Sequence, residues 1–133
     1  TGGHSTVRLA TRLSDSASVV AKFIHSSNVW HWNREIDNRK IPLEISMMKI
    51  FSEIKLKNVI RYFEHYQIGE RFIIIMEYHG EDWIDLYDFI ELNGPVEESI
   101  ATQIFKEVCE TIQTMHGLGY SHNDIKGKSI IEF

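Results

Sequence analysis

The sequence predicts an α+β chain, a small antiparallel sheet with one key helix followed by further helices, and three observations carry that reading. Two alternating β-branched runs, VRLA and SVVAKFI, are joined by the turn-rich LSDSAS. A second pair of strand-like runs, NVIRYFEHY and RFIIIMEYH, flanks the turn QIGE and follows a segment of helical spacing. Beyond Gly80 apolar residues recur with a helical period instead.

Taken in order, the opening reads as a β-hairpin preceded by Gly2 and Gly3. With Ser5 and Thr6, these small residues would let backbone N–H groups come close to a phosphate; a glycine pair there also serves as a plain lead-in. Lys22 lies inside the second strand between Ala21 and Phe23. Such a lysine either faces solvent on the pleat or serves a buried anion. A polar, aromatic insertion, HSSNVWHWNREIDNRK, leads to IPLEISMMKIFSEI, where Pro42 can start a helix and Leu43, Met47, Ile50 and Ile54 share a face. Glu44 falls in the first turn, where a carboxylate gains from the helix dipole; the alternative role is an ion pair with Lys22. The run FIIIM, apolar throughout, marks a central strand.

The next segment carries acids at Glu81, Asp82, Asp85, Asp88 and Glu91 between apolar residues, the pattern of a short solvated helix face rather than a metal site. After Gly94-Pro95 a long helix is expected from Glu97 to about His116, with Ile100, Ile104, Val108, Ile112 and Met115 on one face and Gly117 and Gly119 as its stop. The chain then reads SHNDIKGKSIIEF. His122, Asp124 and Lys126 alternate there, so an acid could accept or orient a proton and a cation could sit beside a transferred phosphoryl group. The same pentapeptide also suits a polar turn.

Composition narrows the classes. With 14 basic and 19 acidic residues the formal charge is −5, which argues against a nucleic-acid partner and selects no substrate. The single cysteine, Cys109, allows no internal disulfide and fits a reducing compartment. No apolar run approaches the roughly 20 residues of a membrane span, and no signal segment opens the chain, so a cytoplasmic location, with the nucleus as a second one, and no membrane partner are expected. The seven histidines lack a metal-ligand spacing and are read as structural or surface residues.

In this order and spacing the segments TGGHSTV, VVAKFI, IPLEI, FIIIMEYHG, IDLYDFIE, IFKEVCETIQTMH and HNDIK resemble the eukaryotic protein-kinase domain, and within it the PAS kinases and Pim-type serine/threonine kinases. The resemblance implies a sheet lobe over 1–76, a hinge over 77–80 and the start of a helical lobe over 81–133. It implies ATP and a protein Ser or Thr as substrates. Gly2 and Val7 would belong to the phosphate loop, and Lys22, paired with Glu44, would contact the α- and β-phosphates. Met76 would stand behind the adenine, Glu77 and Tyr78 would offer it backbone groups, and Asp85 would lie near the ribose. Asp124 would orient the substrate hydroxyl and Lys126 would neutralise charge on the moving phosphoryl group.

Departures from the family pattern are also visible. Ser5 stands at the third glycine of the phosphate loop, and Asn123 replaces the arginine that precedes the catalytic aspartate and answers an activation-loop phosphate. Ser129 replaces the asparagine that holds Mg²⁺, a weaker ligand for a hard cation. No DFG precedes Phe133, so a chain of this extent is expected to transfer phosphate poorly or not at all by itself. Two other readings are a pseudokinase or interaction module that keeps nucleotide binding without catalysis, and a decayed gene product without a stable fold.

Overall fold

The computed structural model describes residues 5–81 and 83–127. The chain divides into two compact units, 1–78 and 79–133. In the first, strands β1 (Thr6–Thr11) and β2 (Ser18–His25) form the expected hairpin. Asp15 closes its turn, accepting from Arg12 at 2.6 Å and from the Ala17 N–H at 3.1 Å. Strands β5 (Tyr62–Ile68) and β6 (Arg71–Glu77) make the second hairpin, turning at Gly69 with φ +57°.

These four strands pair antiparallel in the order β1-β2-β6-β5. The apolar run FIIIM is therefore central, as its composition predicts. A central strand has both faces covered or flanked, so it tolerates few polar positions. Phe72, Ile74 and Met76 project from β6 to one side and are buried there with Ile24 of β2.

That side is covered by helix α1 (Leu43–Glu53). Its fully buried residues are Ile45 and Phe51, with Met48 partly buried against the core, whereas Leu43, Met47 and Ile50 of the stripe read from the sequence are half-buried. Ile54 is the C-cap and is half exposed. Glu44, Ser46, Lys49, Ser52 and Glu53 interrupt the apolar residues of the helix, so periodicity alone allows two stripes. Its attachment chooses between them: Leu43 follows directly on strand β4 (Lys40–Pro42), which fixes the helix phase.

Strand β4 pairs antiparallel with β3 (Trp32–Arg34), a two-stranded sheet inside the insertion where the sequence suggested no regular element. The turn between them is closed by Glu35 N–H to Arg39 O at 2.9 Å and Asn38 N–H to Glu35 O at 2.9 Å. Asn38 takes the left-handed conformation at φ +68°, which asparagine tolerates better than most residues. Ile41 of β4 enters the core, and Trp32 meets Phe72 edge to face at 5.8 Å between ring centres.

The second unit holds α2 (Leu86–Asn93) and α3 (Glu98–Gly117), both where the sequence places helices. The Asp85 carboxylate caps α2 by accepting the Asp88 N–H at 2.8 Å. Helix α3 ends in a Schellman arrangement: Gly119 N–H reaches His116 O and Tyr120 N–H reaches Met115 O, each at 2.9 Å, with Gly119 at φ +83°. Along its predicted apolar face Met115 is buried, Ile104, Val108 and Ile112 are half-buried, and Ile100 is exposed. Among the described residues no helix is long and apolar enough to cross a membrane.

Candidate functional site

Antiparallel partners directly opposite each other present their side chains to the same face of a sheet. The register therefore places Val7, Lys22 and Ile74 in one row, and Leu9, Val20, Met76 and Tyr62 in the next. Lys22 is the cation in an otherwise apolar surface. Its Nζ donates to Glu44 Oε1 of α1 at 2.5 Å, with 24% of the lysine side chain and 43% of the glutamate side chain exposed. The geometry gives Lys22 a carboxylate partner, although that carboxylate is itself exposed.

Around that pair the surface is open on the β1 side and closed on the β6 side. Val7 and Leu9 are each 58% exposed, whereas Met76 is buried in the core that α1 covers. Leu9 and Val20 join this surface although the sequence reading did not single them out. Their signal was the alternation itself, two residues on from Val7 and two before Lys22. Glu77 ends β6 with its N–H donating to Arg61 O at 2.9 Å and its carboxylate accepting the Arg61 N–H at 2.5 Å. Tyr78 closes the first unit. Gly2 lies outside the described residues.

In the second unit the loop after α3 brings Asp124 and Lys126 together. Lys126 Nζ donates to Asp124 Oδ2 at 2.8 Å, and both side chains are exposed. The lysine's hydrogen bond and charge hold the Asp124 carboxyl below the usual carboxylate range. The Asp124 N–H reaches back to His122 Nδ1 at 3.3 Å across Asn123, which sits at φ +60°. Asparagine suits that left-handed position, so the departure from arginine is locally favourable to the backbone.

The loop and the end of α3 line a depression of about 440 Å³, formed by Ile112, His116 and residues 121–125. Further along the loop is Gly127, where a Cβ would meet Tyr87 Cβ and Tyr87 N at 3.2 Å. The absent side chain is what lets this loop lie against the first turn of α2. Asp85, assigned near a ribose by resemblance, has its carboxylate engaged in capping that same helix.

Among the described residues no group of three His, Cys, Asp or Glu is placed to hold a metal ion, and Ser129 lies outside them. The described residues offer phosphates an ammonium, Lys22, held in place by a carboxylate.

A four-stranded sheet with a helix-borne carboxylate on a strand lysine, followed by helices and an Asp-x-Lys loop, defines a phosphotransferase-like frame. The family of the protein kinase domain matches residues 1–131, and the chain belongs to it. It is 36% identical over 130 residues to serine/threonine-protein kinase prk-2 of Caenorhabditis elegans, covering 98% of this chain and 29% of that protein. It is 30% identical over 139 residues to serine/threonine-protein kinase pim-2 of Danio rerio, covering 98% and 44% respectively. To the PAS domain-containing serine/threonine-protein kinase of Mus musculus it is 29% identical over 132 residues, covering 98% and 9%.

The chain thus spans less than half the length of each of these relatives. Among solved structures, Rad53 1-466 in complex with AMP-PNP superposes with a TM-score of 0.75 at 18% identity, covering 98% of this chain and 34% of that one. That likeness establishes the shared fold, a kinase sheet lobe and the start of the helical lobe.

Proposed function

We propose that this chain is the nucleotide-binding portion of a serine/threonine protein kinase that transfers the γ-phosphoryl group of ATP to a protein hydroxyl. The Lys22–Glu44 ion pair is the observation that carries the reading. Carboxylate pairing keeps the ammonium extended along an apolar sheet surface, ready to receive the α- and β-phosphates. Val7, Leu9 and Val20 supply an apolar surface for the adenine, with Met76 behind it. Residues 77–80 act as the hinge, Glu77 and Tyr78 offering backbone groups, and Asp85 stands near the ribose as well as capping α2.

In the transfer the substrate oxygen bonds to the γ-phosphorus while the bond to the β,γ-bridging oxygen breaks, and ADP leaves. Asp124 orients the hydroxyl and accepts its proton. A carboxylate kept ionised by Lys126 is a weak base, so its main contribution is alignment of the nucleophile. Lys126 offsets charge on the moving phosphoryl group. Mg²⁺, when bound, would supply further neutralisation of the phosphates.

Titrating ATP with and without Mg²⁺ while following thermal unfolding tests the binding half of the proposal. An upward shift that disappears in Lys22→Ala is expected. No shift under either condition would overturn it. A second reading, a nucleotide-binding pseudokinase, is favoured by Asn123 at the arginine position and by Ser129 at the Mg²⁺ position. Transfer of phosphate to a serine peptide, abolished by Asp124→Asn, decides for the kinase; binding without transfer fits both readings for a chain of this extent, which has no DFG before Phe133.

A further inference from the structure

The insertion between β2 and α1 is tied to the helix that carries Glu44, and the ties lie on a different face from Glu44 itself. Lys49 Nζ donates to Glu35 Oε1 at 2.5 Å, and Asn33 Nδ2 donates to Ser46 Oγ at 2.7 Å. A backbone bond from Leu43 N–H to His31 O at 2.9 Å adds a third tie at the first residue of the helix. Five residues along a helix is a rotation of about 140° from Glu44 to Lys49. Helix α1 is therefore gripped on one side through Glu44 by β2 and on another by the β3–β4 hairpin.

Glu35 is suited to this task by its surroundings. Only 13% of its side chain is exposed, and its second oxygen lies 3.3 Å from Arg39 Nη2. The lysine's hydrogen bond holds the Glu35 carboxyl below its ordinary range despite the cost of burial. The hairpin presenting it is stiff: Arg39 pairs with Asp37 at 2.5 Å, Arg34 donates to Asn38 Oδ1 at 2.9 Å, and Ile41 is anchored in the core. With β4 running into α1 without an intervening loop, the connection has no slack. A turn or outward swing of α1 large enough to withdraw Glu44 from Lys22 would pull Lys49 off a largely buried carboxylate, which is costly.

We propose that Glu35 and Lys49 are positioning residues: the β3–β4 hairpin clasps α1 through this pair and so holds Glu44 against Lys22. The inference rests on the nucleotide-binding reading for its functional consequence.

The test uses the 133-residue chain, with ATP affinity by calorimetry and amide hydrogen exchange as two separate readouts. Glu35→Gln is expected to weaken ATP binding about 3- to 30-fold, and to have no further effect when Glu44 is already Gln, because the two act through one helix position. The exchanged pair, Glu35→Lys with Lys49→Glu, is expected to recover most of the loss. Amides of α1 should exchange faster in Glu35→Gln while those of β2 and β6 stay unchanged. Equal losses with and without Glu44, or unaltered α1 exchange, would overturn the clasp. Should Glu35→Gln fail to fold, Lys49→Met breaks the same contact from a partly exposed position and leaves Glu35 beside Arg39. Absence of ATP binding in the unaltered chain would refute the nucleotide reading instead, and the exchange data alone would then decide the clasp.

Discussion

Lys22 lies between Val20 and Ile24 on the side of β2 turned toward α1, where an unpaired ammonium would lose hydration without compensation; Glu44 supplies it. His65 meets the same demand by staying neutral. Burial lowers its pKa, and its Nδ1 shares a hydrogen bond with the Tyr62 hydroxyl at 2.7 Å, while burial and nearby Glu35 push the Tyr62 phenol up to about 12. A histidine with a lowered folded pKa binds protons more readily when unfolded. Its stabilising contribution is complete above the ordinary histidine pKa of about 6.5 and is lost as pH falls below it. The melting midpoint is therefore expected to fall between pH 7.5 and 5.5, and to fall less in His65→Gln; equal slopes would argue that other groups carry the effect.

Gly127 is a second residue whose identity is set by a neighbour. Alanine there would place Cβ 3.2 Å from the Tyr87 backbone nitrogen, so the loop must shift off the first turn of α2. Gly127→Ala is expected to cost about 1–3 kcal/mol in the second unit, seen as faster exchange of the α2 amides. Asp124, Lys126 and Lys22 could be singled out from the sequence by the order and spacing of the segments that carry them. Glu35 and Lys49 could not: they are 14 residues apart, and nothing local to either announces the other.

At the level of elements, sequence reading succeeded where period and length agreed. Strands β2 and β6 are long enough for alternation or unbroken apolarity to stand out, and α3 carries a glycine at the position its Schellman stop requires. The β3–β4 hairpin failed that test because its strands have three residues each, too few to show a period. The phase of α1 was legible only in part, since polar residues interrupt its apolar stripe and its orientation follows from the strand it is attached to. Substitution separates the two phases. Ile45→Ala, at a site with no solvent exposure, is expected to cost about 2–5 kcal/mol of unfolding free energy. Ile54→Ala, on the predicted stripe but 48% exposed, is expected to stay within about 0.5 kcal/mol. Denaturant melts of the two variants check this directly; equal losses would restore the predicted face.

Across the whole molecule, burial is distributed unevenly between the two units. Ile24, Ile41, Ile45, Phe72, Ile74 and Met76 form one continuous core in the first, with β2 and β6 paired on both sides. In the second, Met115 is the fully buried apolar side chain among the described residues, while Phe105 is 71% and Leu92 75% exposed. Backbone protection follows the cost of the cheapest opening that frees each amide, and that cost tracks local apolar burial. Amides of β2, β6 and α1 are therefore expected to exchange only through global unfolding of their unit, with α2 and α3 exchanging faster. ATP, bound at Lys22, should slow the first group further by favouring the state in which Glu44 is engaged. Native-state hydrogen exchange followed by mass spectrometry reads both effects at once. Protection of α3 as strong as that of β6 would mean that the open face of α3 is covered in solution, and would move the weakest point of the molecule elsewhere.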